Sequence, residues 1–178
     1  MITGKLMYIM GIDPGFSGAL AVLDENLKVD FVMDMPIIKV GKKRELDEGK
    51  LGMIFKMWAK KSITVGLEKS QTMPNQGIVS SGRYMASYGF LRGLCVGNGI
   101  PYHLIQPQSW KKAMMPDMGK EKGASIQKVS QLHPELTLTR VKDHGIADAV
   151  LIARYLRKKY IGWYSRHQHG MIRRRCRS

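Results

Sequence analysis

The sequence has little cysteine and no long apolar segment. Its 178 residues include two cysteines, Cys95 and Cys176. Two cysteines make neither a disulfide framework nor a four-ligand zinc site. No apolar run reaches the roughly 18 residues that a transmembrane helix needs, and the first residues lack the apolar region of a signal peptide. We therefore expect a soluble cytoplasmic protein that has no membrane partner.

Acidic residues are also few. The chain has 14 Asp plus Glu against 29 Lys plus Arg, which gives a net charge of +15. After Asp148 it carries nine basic residues and no acidic one, so residues 1–148 have a net charge of +6 and the last thirty residues add +9. This surplus predicts a polyanionic partner, with nucleic acid ahead of a membrane surface. We expect one folded domain over 1–161 and a basic, disordered tail over 162–178.

Hydrophobic patterning predicts an α/β domain. Apolar or alternating segments at 6–12, 17–23 and 27–33 predict three successive antiparallel strands. Residues 39–50 are polar and charged, which indicates a mobile loop. The next segments indicate a helix around 51–58, a strand at 63–67, a small-residue helix at 78–96 and a strand at 101–105. After these, the pattern predicts one helical turn near 109–114 and helices at 123–132 and 145–160. This order predicts a mixed five-stranded sheet flanked by helices.

Three carboxylates lie at structurally unusual positions. Asp13 and Glu68 each end an apolar strand, and Asp148 lies in an otherwise apolar helix. Each has an ordinary explanation. Asp13 can be a turn residue, Glu68 can be a solvated strand end, and Asp148 can interact favourably with the helix dipole. Together, however, they can converge on one point and remain ionised only if a cation neutralises them. Oxygen ligands favour Mg²⁺ or Mn²⁺ over zinc, and two such ions can support phosphodiester hydrolysis.

The segments around these carboxylates resemble the RuvC-type Holliday-junction resolvases. The matching segments are Gly11-Ile12-Asp13-Pro14-Gly15-Phe16-Ser17-Gly18-Ala19, Gly66-Leu67-Glu68-Lys69 and Asp143-His144-Gly145-Ile146-Ala147-Asp148-Ala149. Met73-Pro74-Asn75-Gln76-Gly77 and the helix after it resemble the phage and bacterial-element branch, which implies the host cytoplasm if a phage encodes the chain. The resemblance implies an RNase H-like fold and a homodimer that cuts four-way DNA junctions by paired symmetric nicks. It also implies two Mg²⁺ or Mn²⁺ ions per site, with Asp13, Glu68 and Asp148 as ligands and no small-molecule cofactor.

The resemblance implies a fourth metal ligand about one helical turn before Asp148. His144 has the right spacing, and its imidazole can bind Mn²⁺ or act in acid–base chemistry. Asp143 has the preferred carboxylate chemistry and can reach the metals from a frayed helix start. We prefer His144 and keep Asp143 beside it, with helix capping as the alternative role of Asp143.

Basic residues after the fifth strand are candidates for contact with DNA. The resemblance places such residues near the scissile phosphate, where one Lys can stabilise the developing charge. Lys122 is the first choice for this role and Lys120 the second, while a purely solvated surface is the alternative. Lys111, Lys112, Arg83 and the segment from Gln71 to Gln76 are further DNA-binding candidates. Trp110 is assigned to the core rather than to a stacking platform, and an aromatic wedge is absent from the segment after Glu68.

Other functions are compatible with parts of the pattern. A broader phage nuclease that cuts branched or fork DNA, or RNA–DNA hybrids, would use the same carboxylates. A sugar-kinase or actin-like ATPase would need about twice this length. A non-catalytic DNA-binding protein would not need the intact carboxylates. We therefore predict a junction-resolving endonuclease.

Overall fold

The computed structural model describes residues 7–41, 43–69, 77–116, 118 and 123–161. Five predicted features lie outside these residues: Gln71, Gln76, Lys120, Lys122 and the basic tail 162–178. Among the described residues, no helix is both long and apolar enough to cross a membrane.

The core of the fold is a five-stranded mixed sheet, as the sequence predicts. The chain begins with three antiparallel strands, β1 (Met7–Asp13), β2 (Ala19–Leu23) and β3 (Val29–Asp34). Their ends differ from the predicted ones by at most two residues. Two later strands, β6 (Ser62–Glu68) and β7 (Tyr102–Ile105), extend the sheet in parallel, so that the strand order is β3-β2-β1-β6-β7. The central strand β1 is buried on both faces over Ile9–Ile12, where every residue is apolar.

Helices cover both faces of this sheet. On one face lie α1 (Glu48–Ala59) and α2 (Ile78–Gly97), which pack through Phe55, Trp58 and Leu91. On the other face lie α3 (Pro107–Met114), α4 (Ala124–Leu132) and α5 (His144–Leu156). Side chains alternate between the faces along β1, since Met10 and Ile12 join the first cluster and Ile9 joins the second.

The prediction of a mobile loop over 39–50 is wrong. Residues Ile37–Val40 (β4) and Lys43–Leu46 (β5) form an antiparallel hairpin, and α1 begins at Glu48. The backbone N–H of Asp47 donates to the carbonyl oxygen of Pro36 at 2.9 Å, and this hydrogen bond closes the base of the hairpin. Leu46 anchors the hairpin because its side chain is in the core, whereas β4 is exposed along its length.

Two helix predictions also need correction. The single turn near 109–114 is a full helix that starts at Pro107, because proline at the first helical position lacks only an N–H that would be unpaired there. The final helix starts at His144 and ends at Leu156, and a π-helical segment follows over Arg157–Ile161.

Candidate active site

Asp13 and Glu68 lie at the same edge of the sheet and on the same face. The two strands β1 and β6 pair in parallel with Ile12 opposite Leu67, so the next residues along both strands are the two acids. Ile9 and Gly11 face α5, and alternation places Asp13 on that face as well. Gly66 contacts side chains of α5 in the same way, which places Glu68 with Asp13.

Helix α5 brings Asp148 to these acids because it packs very closely on the sheet. A Cβ atom at Gly11 would overlap the carbonyl oxygen of Ala149, and one at Gly145 would overlap the carbonyl oxygen of Ser17. Glycine at both positions therefore permits backbone-to-backbone contact between α5, β1 and the loop after β1. The result is that three carboxylates from two strands and one helix lie near enough, above the carboxyl ends of β1 and β6, for their charges to act on one another.

The electrostatics of the three acids are consistent with this convergence. Burial raises the pKa of Asp13 to about 7, and the charges of Glu68 and Asp148 contribute to the rise. Burial likewise raises the pKa of Glu68, opposed by a hydrogen bond from Trp110 and by the charge of Lys111. Burial also raises the pKa of Asp148, opposed by a hydrogen bond from Ser125 and by Lys111. The fold thus holds three acids where negative charge is unfavourable without a cation.

Each acid is held by a donor from its surroundings. Trp110 donates its indole Nε1–H to Oε2 of Glu68 at 2.6 Å, and the Trp110 side chain is 0% exposed. Ser125 hydrogen-bonds to Asp148, and the backbone N–H of Gly15 lies 3.5 Å from Oδ1 of Asp13. The donors belong to α3, to α4 and to the loop after β1, and their contacts orient the three carboxylates.

The structure places the two candidates for a fourth ligand differently. His144 is exposed and interacts electrostatically with both Asp13 and Asp148. Its Nδ1 lies 2.9 Å from the carbonyl oxygen of Val141. A carbonyl oxygen can only accept, so Nδ1 donates and the lone pair of the neutral ring is on Nε2, the arrangement that metal-binding histidines use.

Asp143 belongs to a different network. Its carboxylate accepts from the backbone N–H and from Nε of Arg140, at 2.7 Å in each case, and the side chain is 2% exposed. Although burial opposes ionisation, the hydrogen bonds from Arg140 lower the pKa of Asp143. Arg140 also pairs with Asp34 at the end of β3. Asp143 thus stabilises the short 3₁₀ turn Val141–Asp143 by accepting the N–H of Arg140. Its side chain makes no capping hydrogen bond to α5, so it does not have the helix-capping role considered from the sequence.

Of the basic candidates that the structure describes, Lys111 is the one whose charge acts on the acids. Its ammonium group lies 5.3 Å from the centre of the Trp110 ring and lowers the pKa of both Glu68 and Asp148 through its charge. Lys112 is exposed on the same helix. Arg83 lies on α2 and lines a cleft on the face of the sheet that carries α1 and α2, which is opposite to the face that carries the acids. Lys111 is therefore the one described basic candidate that the structure brings to the carboxylates.

The donor set fits a hard divalent cation. Carboxylate oxygens with one imidazole nitrogen suit Mg²⁺ or Mn²⁺. Among the described residues, however, no group of three or more His, Cys, Asp or Glu side chains is close enough together to hold an ion as the side chains stand. Glu68 and Asp148 are turned toward Trp110 and Ser125 instead.

Two residues at the site were missed from the sequence. The sequence predicts Trp110 in the core, which its complete burial confirms, but does not predict its hydrogen bond to Glu68. A buried indole N–H generally requires an acceptor, so this role could have been sought. Ser125 carried no such signal, because serine is common in the first turn of a helix.

Comparison with known proteins supports the fold. No protein-family model matches the sequence, and no curated protein matches it. Among solved structures, Thermus thermophilus RuvC in complex with a Holliday junction substrate is similar at a TM-score of 0.54 and 19% identity, covering 83% of this chain and 90% of that one. A second Thermus thermophilus RuvC structure gives a TM-score of 0.49 and 17% identity over 83% of this chain and 91% of that one. The chain therefore has the RNase H-like α/β fold of RuvC, as the sequence predicts.

Proposed function

We propose that the protein is a metal-dependent endonuclease that resolves four-way DNA junctions by paired symmetric nicks. The observation that carries this proposal is the meeting of Asp13, Glu68 and Asp148 at one edge of an RNase H-like sheet. The likeness to a RuvC structure that contains a Holliday junction favours a junction over other DNA shapes. Membership of the phage and bacterial-element branch remains a prediction.

In this proposal Asp13, Glu68, Asp148 and Nε2 of His144 hold two Mg²⁺ or Mn²⁺ ions. The ions would activate the attacking water and stabilise the leaving oxygen. The protein contributes the positions of the ligands, since Trp110 orients Glu68, Ser125 orients Asp148 and Val141 orients His144. Asp143, the other candidate ligand, instead supports the turn that leads into α5.

Basic side chains in this proposal bind the DNA backbone and the reacting phosphate. The charge of Lys111 lowers the pKa values of Glu68 and Asp148, which supports a role for Lys111 in stabilising the charge that develops at the phosphate. Lys122, with Lys120 as the second choice, remains proposed for the same phosphate on the basis of the family resemblance alone. Lys112, Arg83, Gln71 and Gln76 are proposed as further DNA contacts.

A homodimer would supply the two active sites that symmetric cleavage needs. Helix α2 presents an exposed stripe at intervals of three or four residues, formed by Gly82, Met85, Gly89, Gly93 and Val96. Cβ atoms at its three glycines would have no atom within 4 Å, so the stripe is free to receive another helix closely. Light scattering at micromolar concentration tests this, and a monomer with unimpaired paired cleavage would contradict it.

Cleavage of labelled substrates tests the proposed function. Purified protein is incubated with a four-way junction, a fork, a linear duplex and an RNA–DNA hybrid, in Mg²⁺ or in EDTA. We expect Mg²⁺-dependent symmetric nicks in the junction, and loss of cleavage with retained junction binding in Asp13→Asn, Glu68→Gln and Asp148→Asn. The control Asp30→Asn, which removes an exposed carboxylate from β3, should cleave normally.

The outcomes separate the alternatives. Preferred cleavage of the fork or the hybrid would support the broader nuclease instead. Junction binding without cleavage in any metal would support a non-catalytic DNA-binding protein. More than about a tenth of the unsubstituted rate in any of the three carboxylate variants would contradict a shared two-metal site.

A further inference from the structure

A cleft of about 480 Å³ lies beside the active-site loop, between the hairpin and helix α2. We call it the Phe16 cleft, because Phe16 lies in the loop that follows Asp13 and forms part of its wall. The hairpin β4–β5 and the start of α1 form a second wall, and Arg83, Ala86 and Ser87 of α2 form a third. The cleft is therefore built from three separate segments of the chain.

The walls combine apolar surfaces with hydrogen-bonding groups. Phe16, Ile38 and Leu46 contribute apolar surface, and the guanidinium of Arg44 lies 5.9 Å from the centre of the Phe16 ring. An aromatic ring with an adjacent guanidinium is the pairing on which unstacked nucleobases rest in single-strand binding sites. Arg83 and Ser87 add donors from the opposite side.

The charge of the cleft argues against a phosphate as its occupant. Two arginines are matched by three acids of the hairpin end and of α1, namely Glu45, Asp47 and Glu48. Asp47 already accepts the backbone N–H of Lys50 at 2.9 Å. An anion would meet these acids, whereas a neutral, flat base offers apolar faces to the walls and N–H and C=O groups to the charged side chains.

The position of the cleft indicates which base could enter it. Phe16 is on the short loop between β1 and β2, and the same loop carries Gly15, whose N–H lies near Asp13. Because the cleft lies on the face of the sheet that carries α1 and α2, and the acids lie on the α5 face, a base in the cleft would belong to a nucleotide across the sheet edge from the phosphate that is cut. Bases within a continuous duplex are stacked and paired, but bases at a branch point cost less to unstack.

We propose that the Phe16 cleft holds one unstacked nucleobase of the DNA branch point. This inference rests on the proposed function and deepens it, because it gives the protein a way to recognise a branch without an aromatic wedge after Glu68. The hairpin then serves as the outer wall of a base-binding site. Its exposed Ile38 and Arg44 side chains are the groups that contact the base.

The test measures binding and base unstacking in the cleavage-inactive Asp13→Asn protein. The probes are a four-way junction with 2-aminopurine at the branch point and a linear duplex with the same label, at one salt concentration in EDTA. Phe16→Leu removes the aromatic face, and Arg44→Met removes the guanidinium but keeps an aliphatic stem. Lys56→Met is the matched control, because it removes one exposed positive charge from α1 outside the cleft.

We expect the Asp13→Asn protein to raise 2-aminopurine emission at the branch point, since neighbouring bases quench the stacked label. Phe16→Leu and Arg44→Met should each weaken junction binding about tenfold and reduce the emission change, with at most about a twofold effect on duplex binding. Lys56→Met should weaken junction and duplex binding about equally and leave the emission change intact.

Other outcomes overturn the inference. Equal losses on junction and duplex in Phe16→Leu, or an unchanged emission response, would show that the cleft does not hold a base. A change of oligomeric state in Phe16→Leu, measured by light scattering, would assign the cleft to a second copy of the chain instead. If the Asp13→Asn protein binds junction and duplex equally well, the proposed function fails, and the inference fails with it.

Discussion

Asp13 is the residue whose ionisation the fold opposes most clearly. Its pKa rises to about 7 because the side chain is buried and because Glu68 and Asp148 add negative charge nearby. In the unfolded chain the same carboxyl group has its ordinary pKa of 3.8. The folded protein therefore binds the Asp13 proton more tightly than the unfolded chain does, and the resulting stability is complete below pH 3.8 and lost as the pH rises through 7.

The first prediction concerns this pH window in EDTA. Between about pH 4 and pH 7 the unsubstituted protein should lose stability relative to Asp13→Asn, which has no charge to bury. A pKa change from 3.8 to about 7 corresponds to about 4 kcal/mol at pH 7.5, and the loss of the carboxylate's own contacts in the variant offsets part of it. The variant should therefore unfold at least 2–4 °C higher, the change that about 1 kcal/mol produces in a chain of this size. Thermal melts over this pH range measure the difference.

A cation should reverse the effect in the unsubstituted protein. Mg²⁺ competes with the proton on Asp13, so it should raise the melting temperature more at pH 8 than at pH 5.5. Asp13→Asn should show little of this Mg²⁺ response, and Asp30→Asn should behave like the unsubstituted protein. A Mg²⁺ shift of the same size at both pH values would contradict the assignment of Asp13 as a ligand.

Trp110 is predicted to be a positioning residue for Glu68. Trp110→Phe keeps most of the buried ring and removes the N–H that Glu68 accepts. Loss of a ligand's hydrogen-bond partner typically weakens metal affinity or activity by 10–100-fold, so we expect the half-saturating Mg²⁺ concentration to rise roughly tenfold. Cleavage assayed across a Mg²⁺ titration measures this shift.

Trp58→Phe is the matched control for that experiment. Trp58 is equally a buried indole, but its Nε1 has no hydrogen-bond partner among the described residues. Both variants should lose some packing stability, while only Trp110→Phe should move the Mg²⁺ midpoint. If the two variants move the midpoint equally, the effect is structural and the positioning role is wrong.

At the scale of elements, the placement of the acids depends on the close packing of α5. Helix α5 contacts β1 and the loop after it through backbone atoms at Gly11 and Gly145. This packing is what carries Asp148 to the sheet edge where β1 and β6 end. A side chain at either glycine must displace the helix, because the atoms it would meet are backbone atoms that cannot rotate away.

Gly145→Ala is therefore expected to separate Asp148 from Asp13. The added methyl group should destabilise the protein by about 1–3 kcal/mol and reduce cleavage by a larger factor than folding alone explains. Chemical denaturation and cleavage rates under folded conditions measure the two effects. The control Gly52→Ala lies in α1 with no atom within 4 Å of a Cβ atom, and it should stabilise the helix by about 0.5–1 kcal/mol. Normal cleavage by Gly145→Ala would contradict the role of this contact.

The elements also show which parts of the fold the sequence could predict. The buried strands β1 and β6 were predictable because apolar residues and a terminal acid mark them, and the pairing of Asp13 with Glu68 follows from parallel register. The hairpin β4–β5 was not predictable, because both its faces are largely exposed. Apolar and polar residues alternate along a strand only when one face is buried. The hydrogen bond from Trp110 to Glu68 was also beyond prediction, since it links two residues far apart in the chain.

At the scale of the whole molecule, positive charge is distributed unevenly between the domain and the basic tail. Residues 1–161 contain 24 Lys plus Arg and 14 Asp plus Glu, a net charge of +10, and the 17 residues of the tail add +5. Residues 162–178 contain five arginines, Arg166, Arg173, Arg174, Arg175 and Arg177, with two histidines and no acid. Since the candidate metal ligands all precede the tail, its charge can strengthen DNA binding without entering the chemistry. A tail that affects only solubility is the alternative.

Removal of residues 162–178 tests the basic tail directly. Each phosphate that a cationic side chain neutralises adds about 0.9 to the slope of log K against log salt on duplex DNA. If some of the five arginines bind at once, truncation should flatten that slope by about two to four units. Affinity for a plain duplex should fall nearly as much as affinity for a junction, because the tail responds to charge and not to shape.

A full-length variant with the five arginines changed to glutamine should match the truncation, and both should cleave at near the unsubstituted rate at saturating protein and low salt. If the slope of log K against log salt is equal for the full-length and truncated proteins, the tail does not bind DNA and affects solubility alone.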